Sequence, residues 1–597
     1  MTRYRAAIVL LILAVAAGTA LRARLIAAKR TLNHDEAISY LCAAGKQGLY
    51  REQSQAVTPP FGTWARAAEL KQFLHPDEPL CFGRIGHDLA ATDIHPPLYF
   101  WLLHGWVLAV GVHTWSGPAL NTLLAAAAAV ALFGLACIVV RDRLAAAAVA
   151  AIWVVSPAVI DTCFEARHYD LLALCGVGFT WAALRCVEAP ARRRRPHPDH
   201  GAQLGHSTGE GESSGEPRLG RSFALPRWAL AHRESVWLAV ATLAGLLTHY
   251  HFVLLVAAAG AWLAVALRRE PRRLLPLAAA VLAGSLAFVA VHPHFLASVL
   301  RAREQAQGFD IADLLPRLEA TLLTYSTFFI STASNAWLIH KYLFPLGVAA
   351  LVVATLTAWF LLRRRSTASA PSRSRLGSEG PGRSERTVVY FFLTMAGFNT
   401  ALYLAGVSPQ HAMGPQYLAL VWPFLAFWPV LLLARLRPLV TPTLLLLCTA
   451  ATATGAVGVQ RQVARSAHAP DPHRFLSTAP VVVVDNVARG VLPCIAWHLA
   501  DDQPVLAAPE AWLLEHVDGW TTRLAPGAIY VGVASYGNTP AGRERLLRTL
   551  SARHEVTPLD HGIFGVGRLH LLAGARARTP GGLGGHPGAF KSAPPGG

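Results

Sequence analysis

A few short stretches of this chain carry side chains able to do chemistry, each an island in apolar sequence. Asn33-His34-Asp35-Glu36-Ala37 sets two carboxylates side by side, so that one can act as a general base and the other as its partner. Asn33 or Asp35 would equally serve as the N-cap of a helix over AISYLCAAG. Asp93-Ile94-His95-Pro96-Pro97-Leu98-Tyr99 places a histidine before a Pro-Pro helix start, where it can donate to an anionic phosphate beside the helix N-terminus; an interfacial histidine with no task fits the same residues. Asp161 to Asp170 (DTCFEARHYD) packs three carboxylates, Arg167 and His168 into a loop too short to need them. Charges near membrane depth are costly unless paired or used, and Arg167 suits bidentate phosphate recognition.

Two further turns add to these. Thr248-His249-Tyr250-His251 interrupts a long apolar run, and its histidines suit a metal or a phosphate, or simply a polar turn. Ser408 to Tyr417 (SPQHAMGPQY) offers His411 and Gln416, and Lys29 and Arg30 are basic residues just past the first apolar block, where an anionic ligand is worth considering.

The elements that must position these residues are membrane spans. Of 597 residues 53% are hydrophobic and only 15% charged, against roughly 25% charged in ordinary soluble proteins. The apolar residues gather in blocks of bilayer length. About eleven spans are expected: Ala6–Leu21, Gly117–Val140, Leu144–Ile160, Asp170–Val187, Val236–Thr248, His251–Leu267, Leu274–Val291, Trp337–Leu362, Val388–Ala405, Tyr417–Leu433 and Val440–Val459. Arginine clusters (Arg141/Arg143, Arg192 to Arg195, Arg268 to Arg273, Arg363 to Arg365, Arg435/Arg437) recur after every second span, which makes those loops and the N-terminus cytoplasmic. Leu98 to Val110 is short and carries His104; if it crossed, every later cluster would change sides, so it is expected as an interfacial or re-entrant helix. The candidate residues then share the exported face of a plasma or inner membrane.

The expected fold is therefore an α-helical polytopic membrane protein over residues 1–459, with a first exported loop at about 25–116 and a small exported α/β domain over 460–573. In that domain Val481–Val484 and Ala528–Ala534 suit buried strands, and Ala541–Arg553 an amphipathic helix. Loops at about 188–235 and 363–387 and the tail 574–597, rich in Gly, Ser, Pro and Arg, are expected to be disordered. The net charge of +18 lies in short clusters between spans, with no basic domain, so no nucleic-acid partner is expected. Cys42 and Cys81 share the first loop and either pair there or stay as thiols. No Cys or His spacing suggests a structural zinc.

Taken in order, Asp35-Glu36-Ala37, His95-Pro96-Pro97-Leu98-Tyr99, Ser156-Pro157 leading to Glu165-Ala166-Arg167 and Tyr169, and Thr248-His249-Tyr250 resemble the pattern of GT-C membrane glycosyltransferases. The likeness is greatest to glycosyltransferase family 39, the group of protein O-mannosyltransferases and lipid A aminoarabinose transferases, and spans about Arg3 to Val459. The resemblance implies a polyprenyl-phosphate sugar donor and a lipid, glycan or protein acceptor in the cell envelope. It implies Asp35 as the base for direct, inverting attack by an acceptor hydroxyl, Glu36 orienting the acceptor or Asp35, and Glu165 as the second acid. His95 and Arg167 would hold the leaving phosphate, with Tyr169, His249, Tyr250, Gln416 and Tyr417 lining the substrate site. His95 stands where some relatives have Lys, which makes that charge pH-dependent, and Gln416-Tyr417 stands where many have Arg-Tyr. No metal and no other cofactor is expected. The alternative class is a transporter or flippase for a lipid-linked or anionic envelope precursor, with the same groups as a proton relay.

Overall fold

The computed structural model describes residues 2–140, 142–193, 227–268, 270–305, 418–433, 440–468, 479–522, 529–534, 540–563 and 567–575, with 312, 314–318, 328 and 397 besides. The expected spans Trp337–Leu362 and Val388–Ala405, the loop 363–387, the stretch from Ser408 to Tyr417 and nearly all of the tail lie outside these residues.

In chain order the helices are α1 (Thr2–Ala27), α2 (His34–Ala44), α3 (Gln47–Ala56), α4 (Ala67–Lys71), α5 (Phe82–Thr92), α6 (Leu98–Val110), α7 (Ser116–Val140), α8 (Arg143–Val154), α9 (Pro157–Cys163) and α10 (Tyr169–Arg193). There follow α11 (Arg227–Thr248), α12 (Phe252–Ala266), α13 (Leu274–Val291), α14 (Phe295–Gln305), α15 (Trp422–Leu425), α16 (Phe427–Leu433) and α17 (Val440–His468). The chain divides into two units, Met1–Gly48 with Phe73–Ala469, and Leu49–Gln72 with Pro470–Gly597.

The first unit is helical. Among the described residues four helices are long and apolar enough to cross a membrane, Arg3–Ala27, Ser116–Val140, Leu274–Val291 and Thr441–Ala464. Their outer faces present bare aliphatic side chains, with Ile12 60%, Leu286 60% and Leu446 69% exposed, a surface that water tolerates poorly and lipid tails accept. α8 and α9 are together apolar enough for one further span, broken by a 52° bend, where the sequence leads one to expect a span over Leu144–Ile160. Pro157 opens α9 and holds Ser156 extended at ψ 133°, so the helix cannot run through.

The break strands the carbonyl of Val154, and Arg22 of α1 answers it. Its Nη1 donates to Val154 O at 2.8 Å and to Gly18 O at 3.0 Å, while Nε donates to Cys163 Sγ at 3.0 Å. The expected span Tyr417–Leu433 is likewise two short helices, because Pro429 lacks an amide and its ring would meet the carbonyl four residues back. α10 and α11 run on to Arg193 and back to Arg227, so helix reaches further into the 188–235 loop than apolar residues alone predict. α6 falls on Leu98–Val110 as expected; at 13 residues it is about 20 Å long, short of a hydrocarbon core of about 30 Å.

The second unit is α/β. Six strands, β1 (Trp64–Arg66), β2 (Val481–Val484), β3 (Pro504–Ala508), β4 (Ile529–Ala534), β5 (His554–Ile563) and β6 (Gly567–Ala575), form one sheet in the order β1-β3-β2-β4-β6-β5. The centre is parallel, β3-β2-β4, and both flanks are antiparallel. All four residues of β2 are buried, the unbroken apolar run that a central parallel strand requires. Its Val482 and Val484 pack with Leu506, Leu513, Trp520 and Leu546. The two strands and the helix expected here are seen at Val481–Val484, Ile529–Ala534 and Pro540–Ser551. The edge strand β1 comes from the first loop, more than 400 residues earlier in the chain, and nothing in its three residues announces it.

Candidate active site

The first unit gathers the sequence candidates at the ends of α2, α6, α10 and α11. At α2, Asn33 is the N-cap: its side chain accepts the Glu36 amide at 2.8 Å and Glu36 Oε2 accepts the Asn33 amide at 3.1 Å, a closed capping box. Glu36 is fully buried, pairs with Lys29 Nζ at 2.8 Å and accepts the Ala166 amide at 3.1 Å. Lys29, whose position suggested an anionic ligand, is thus committed to Glu36; it also donates to Phe164 O at 3.0 Å and lies over the Phe164 ring. The Glu36 carboxylate ties the start of α2 to the loop between α9 and α10.

The capping box leaves Asp35 free to face outward. Its side chain is half exposed and one oxygen meets Arg167 Nη2 at 2.8 Å. The Arg167 guanidinium holds the Asp35 carboxyl well below the usual carboxylate range, against the upward push of burial, and His34 assists at 3.3 Å. Arg167 is buried, and its Nε has no partner among the described residues. Its own charge is locked in, because Asp35 and the neighbouring acids overcome the downward push of burial.

Glu165 accepts from Asn33 Nδ2 at 3.0 Å, and burial, then the charges of Glu36 and Asp35, push its carboxyl up to about 7. Asn121 of α7 holds this loop by donating to the carbonyls of Glu165, 2.6 Å, and Arg167, 3.0 Å. A lone Asn in an apolar helix was the signal for that role, and the sequence reading passes over it. The loop also sits hard against α7: a Cβ on Gly117 would stand 2.2 Å from Ala166 Cβ.

His95 enters from the turn before α6. Asp93 accepts both its amide, at 3.1 Å, and its Nδ1–H, which fixes the ring. Burial raises the Asp93 carboxyl, but His95 and the Ile94 amide overcome it and leave the group well below the usual range. Arg301 of α14 braces this turn through the carbonyls of Asp93, 2.6 Å, and Ala90, 2.9 Å, a contact across more than 200 residues that no local pattern shows.

Beside His95 lie His168, with ring centroids 5.1 Å apart, and His249, 5.9 Å; His168 and His249 are 4.8 Å apart. One nitrogen from each ring lies within 4.8 Å of the others, so these three could hold a metal. Burial drives His168 and His249 well below the ordinary histidine range. Tyr169 lies beside His168, ring centroids 4.6 Å apart and tilted by 46°, whereas Tyr250 turns to His292, its hydroxyl 2.9 Å from Nε2.

Asp35, Glu36, Glu165 and Arg167 therefore form one network, and His95, His168, Tyr169 and His249 an adjoining one, joined through the consecutive residues Arg167 and His168. Gln416, Tyr417 and His411 lie outside the described residues. Cys42 and Cys81 are separate thiols; Cys42 Sγ donates to Gln47.

No protein-family model matches this chain, and no curated protein matches it in sequence. Among solved structures it is similar to ArnT from Cupriavidus metallidurans bound to undecaprenyl phosphate, at 13% identity over 96% of this chain and 99% of that one, with a TM-score of 0.49. It is also similar to the archaeal oligosaccharyltransferase AglB from Archaeoglobus fulgidus in complex with an inhibitory peptide and a dolichol-phosphate, at 11% identity over 88% of this chain and 69% of that one, with a TM-score of 0.43.

Proposed function

We propose that this protein is an integral-membrane glycosyltransferase that moves a sugar from a polyprenyl-phosphate donor to an acceptor hydroxyl on the exported face, with inversion at the anomeric carbon. The observation that carries the reading is the Asp35–Arg167 pair, a half-exposed carboxylate held at 2.8 Å by a buried guanidinium that still has an unpartnered Nε. A structural ion pair would bury both members, as Lys29 and Glu36 do a turn away. Here the acid reaches solvent while the cation is held ready for a second anion.

The donor phosphate supplies that anion. Arg167 binds it bidentately in the geometry that guanidinium and phosphate share, and His95, its ring fixed by Asp93, donates from the other side. As Arg167 turns toward the phosphate, Asp35 loses the charge that held its pKa down and becomes a stronger base. It takes the proton of the acceptor hydroxyl as that oxygen bonds to the anomeric carbon and the bond from that carbon to the phosphate oxygen breaks. The electron pair leaves on the lipid phosphate, where Arg167 and His95 stabilise it. Glu165, poised near neutrality, is the neighbouring group able to accept or return that proton. Glu36 is a positioning residue, since the cap, Lys29 and Ala166 occupy it.

Purified protein in lipid nanodiscs, given a labelled polyprenyl-phosphate sugar, should release polyprenyl phosphate; Asp35→Asn should bind the donor and release none. Release by Asp35→Asn at the wild-type rate would remove the base assignment.

A further inference from the structure

We propose that His95, His168 and His249 form a metal site for one zinc-like divalent ion, with its fourth position open to an oxygen ligand. The three rings come from the turn before α6, the start of α10 and the end of α11, and their nitrogens converge within 4.8 Å of one another. Three neutral imidazoles with an open position suit zinc or cobalt, whereas magnesium and calcium demand oxygen.

Two observations beyond the convergence point to a ligand. His168 is 1% exposed, and among the described residues neither ring nitrogen has a hydrogen-bond partner, so a buried imidazole is left unsatisfied beside the other two rings. Buried polar groups are nearly always satisfied, and an ion is one of the few things that would satisfy this one without a polar neighbour. Second, Asp93 takes the Nδ1–H of His95 and turns Nε2 outward, where it can carry either a proton for a phosphate or a lone pair for an ion; carboxylate–histidine–metal relays have this arrangement. His249 at present accepts the His251 amide on Nδ1 at 3.0 Å. Ligation by that ring gives up this one bond, at the exposed end of a turn where water can replace it.

An ion here would stand next to Arg167 and, on His95, take the place of the Nε2 proton that otherwise donates to the phosphate. A phosphate oxygen could fill its open position, but the metal site stands on its own geometry whether or not the chain transfers sugar.

The test uses untagged full-length protein in nanodiscs, stripped with a chelator and titrated with Co2+ and then Zn2+. One equivalent of Co2+ should bind with the intense visible absorption of a four-coordinate site, and Zn2+ should displace it stoichiometrically. His168→Asn and His249→Asn should each weaken Co2+ binding at least 100-fold, while His292→Asn, in the neighbouring Tyr250 pair, leaves it unchanged. Melting of each chelated variant beside chelated wild type separates loss of ligand from loss of fold, and a variant that misfolds is replaced by the Gln substitution at the same position. Wild type that binds neither ion, or folded His168 and His249 variants that bind as wild type does, would overturn the proposal. Metal binding without release of polyprenyl phosphate would contradict the transferase reading and leave the metal site standing.

Discussion

Asp35 and Glu36 are neighbours in sequence with opposite fates, and the difference follows from the helix cap. Glu36 closes the box with Asn33 and is buried on Lys29, whereas Asp35 points out to Arg167. Asp35→Asn should therefore lose turnover by at least about 100-fold, the scale of a general base, and, because it takes a counter-charge from Arg167, lower the melting temperature by less than Glu36→Gln does. Glu36→Gln should leave Lys29 buried without a counter-charge and cost about 3–5 kcal/mol, read as a large drop in melting temperature. Glu165 supplies a pH signature. An unfolded chain gives up this proton near 4.5 and the folded protein holds it to about 7, so between these values the folded state binds more protons and stability falls as pH rises. Melting curves across that window should show the fall, and Glu165→Gln should flatten it. The carboxylates, Arg167 and His95 were legible in sequence because each is a charge in apolar surroundings. The burial of Lys29 on Glu36 was not, because it depends on where α1 ends in space.

At the scale of elements, the loop between α9 and α10 is placed by close packing as much as by polar contacts. Gly117 lets α7 lie against Ala166, between the two residues that matter most in the loop. Gly117→Ala should push that loop outward, destabilise by about 1–3 kcal/mol and reduce turnover, while Gly178→Ala in α10, with nothing within 4 Å of its new methyl, should do neither. Thermal melting and the release assay on the two variants make the comparison. Helices were readable from apolar runs and prolines: α6 and α13 fall on their expected bounds. The bend between α8 and α9 was missed although Ser156-Pro157 was in view, because a continuous apolar run hides a break that only Arg22 on another helix makes tolerable. Long-range braces such as Arg301 on the Asp93 turn leave no local trace at all.

For the whole molecule, a scarcity of charge is the organising fact. With 15% charged residues in 597, acids and histidines that converge from four parts of the chain stand out from solvated decoration; they adjoin at the ends of helices that otherwise present Leu and Ile outward. The sheet of the second unit, with its edge strand drawn from residues 64–66, was only half legible, since strand partners so distant in sequence carry no shared pattern. The central claim is that Asp35 acts on an acceptor while Arg167 takes the phosphate of a lipid-linked sugar. Its most direct test is single-turnover release of polyprenyl phosphate from labelled donor by wild type, Asp35→Asn and Arg167→Lys. Wild type should release polyprenyl phosphate, Asp35→Asn should bind donor and release none, and Arg167→Lys should bind donor more weakly; equal release from all three would remove both residues from the reaction.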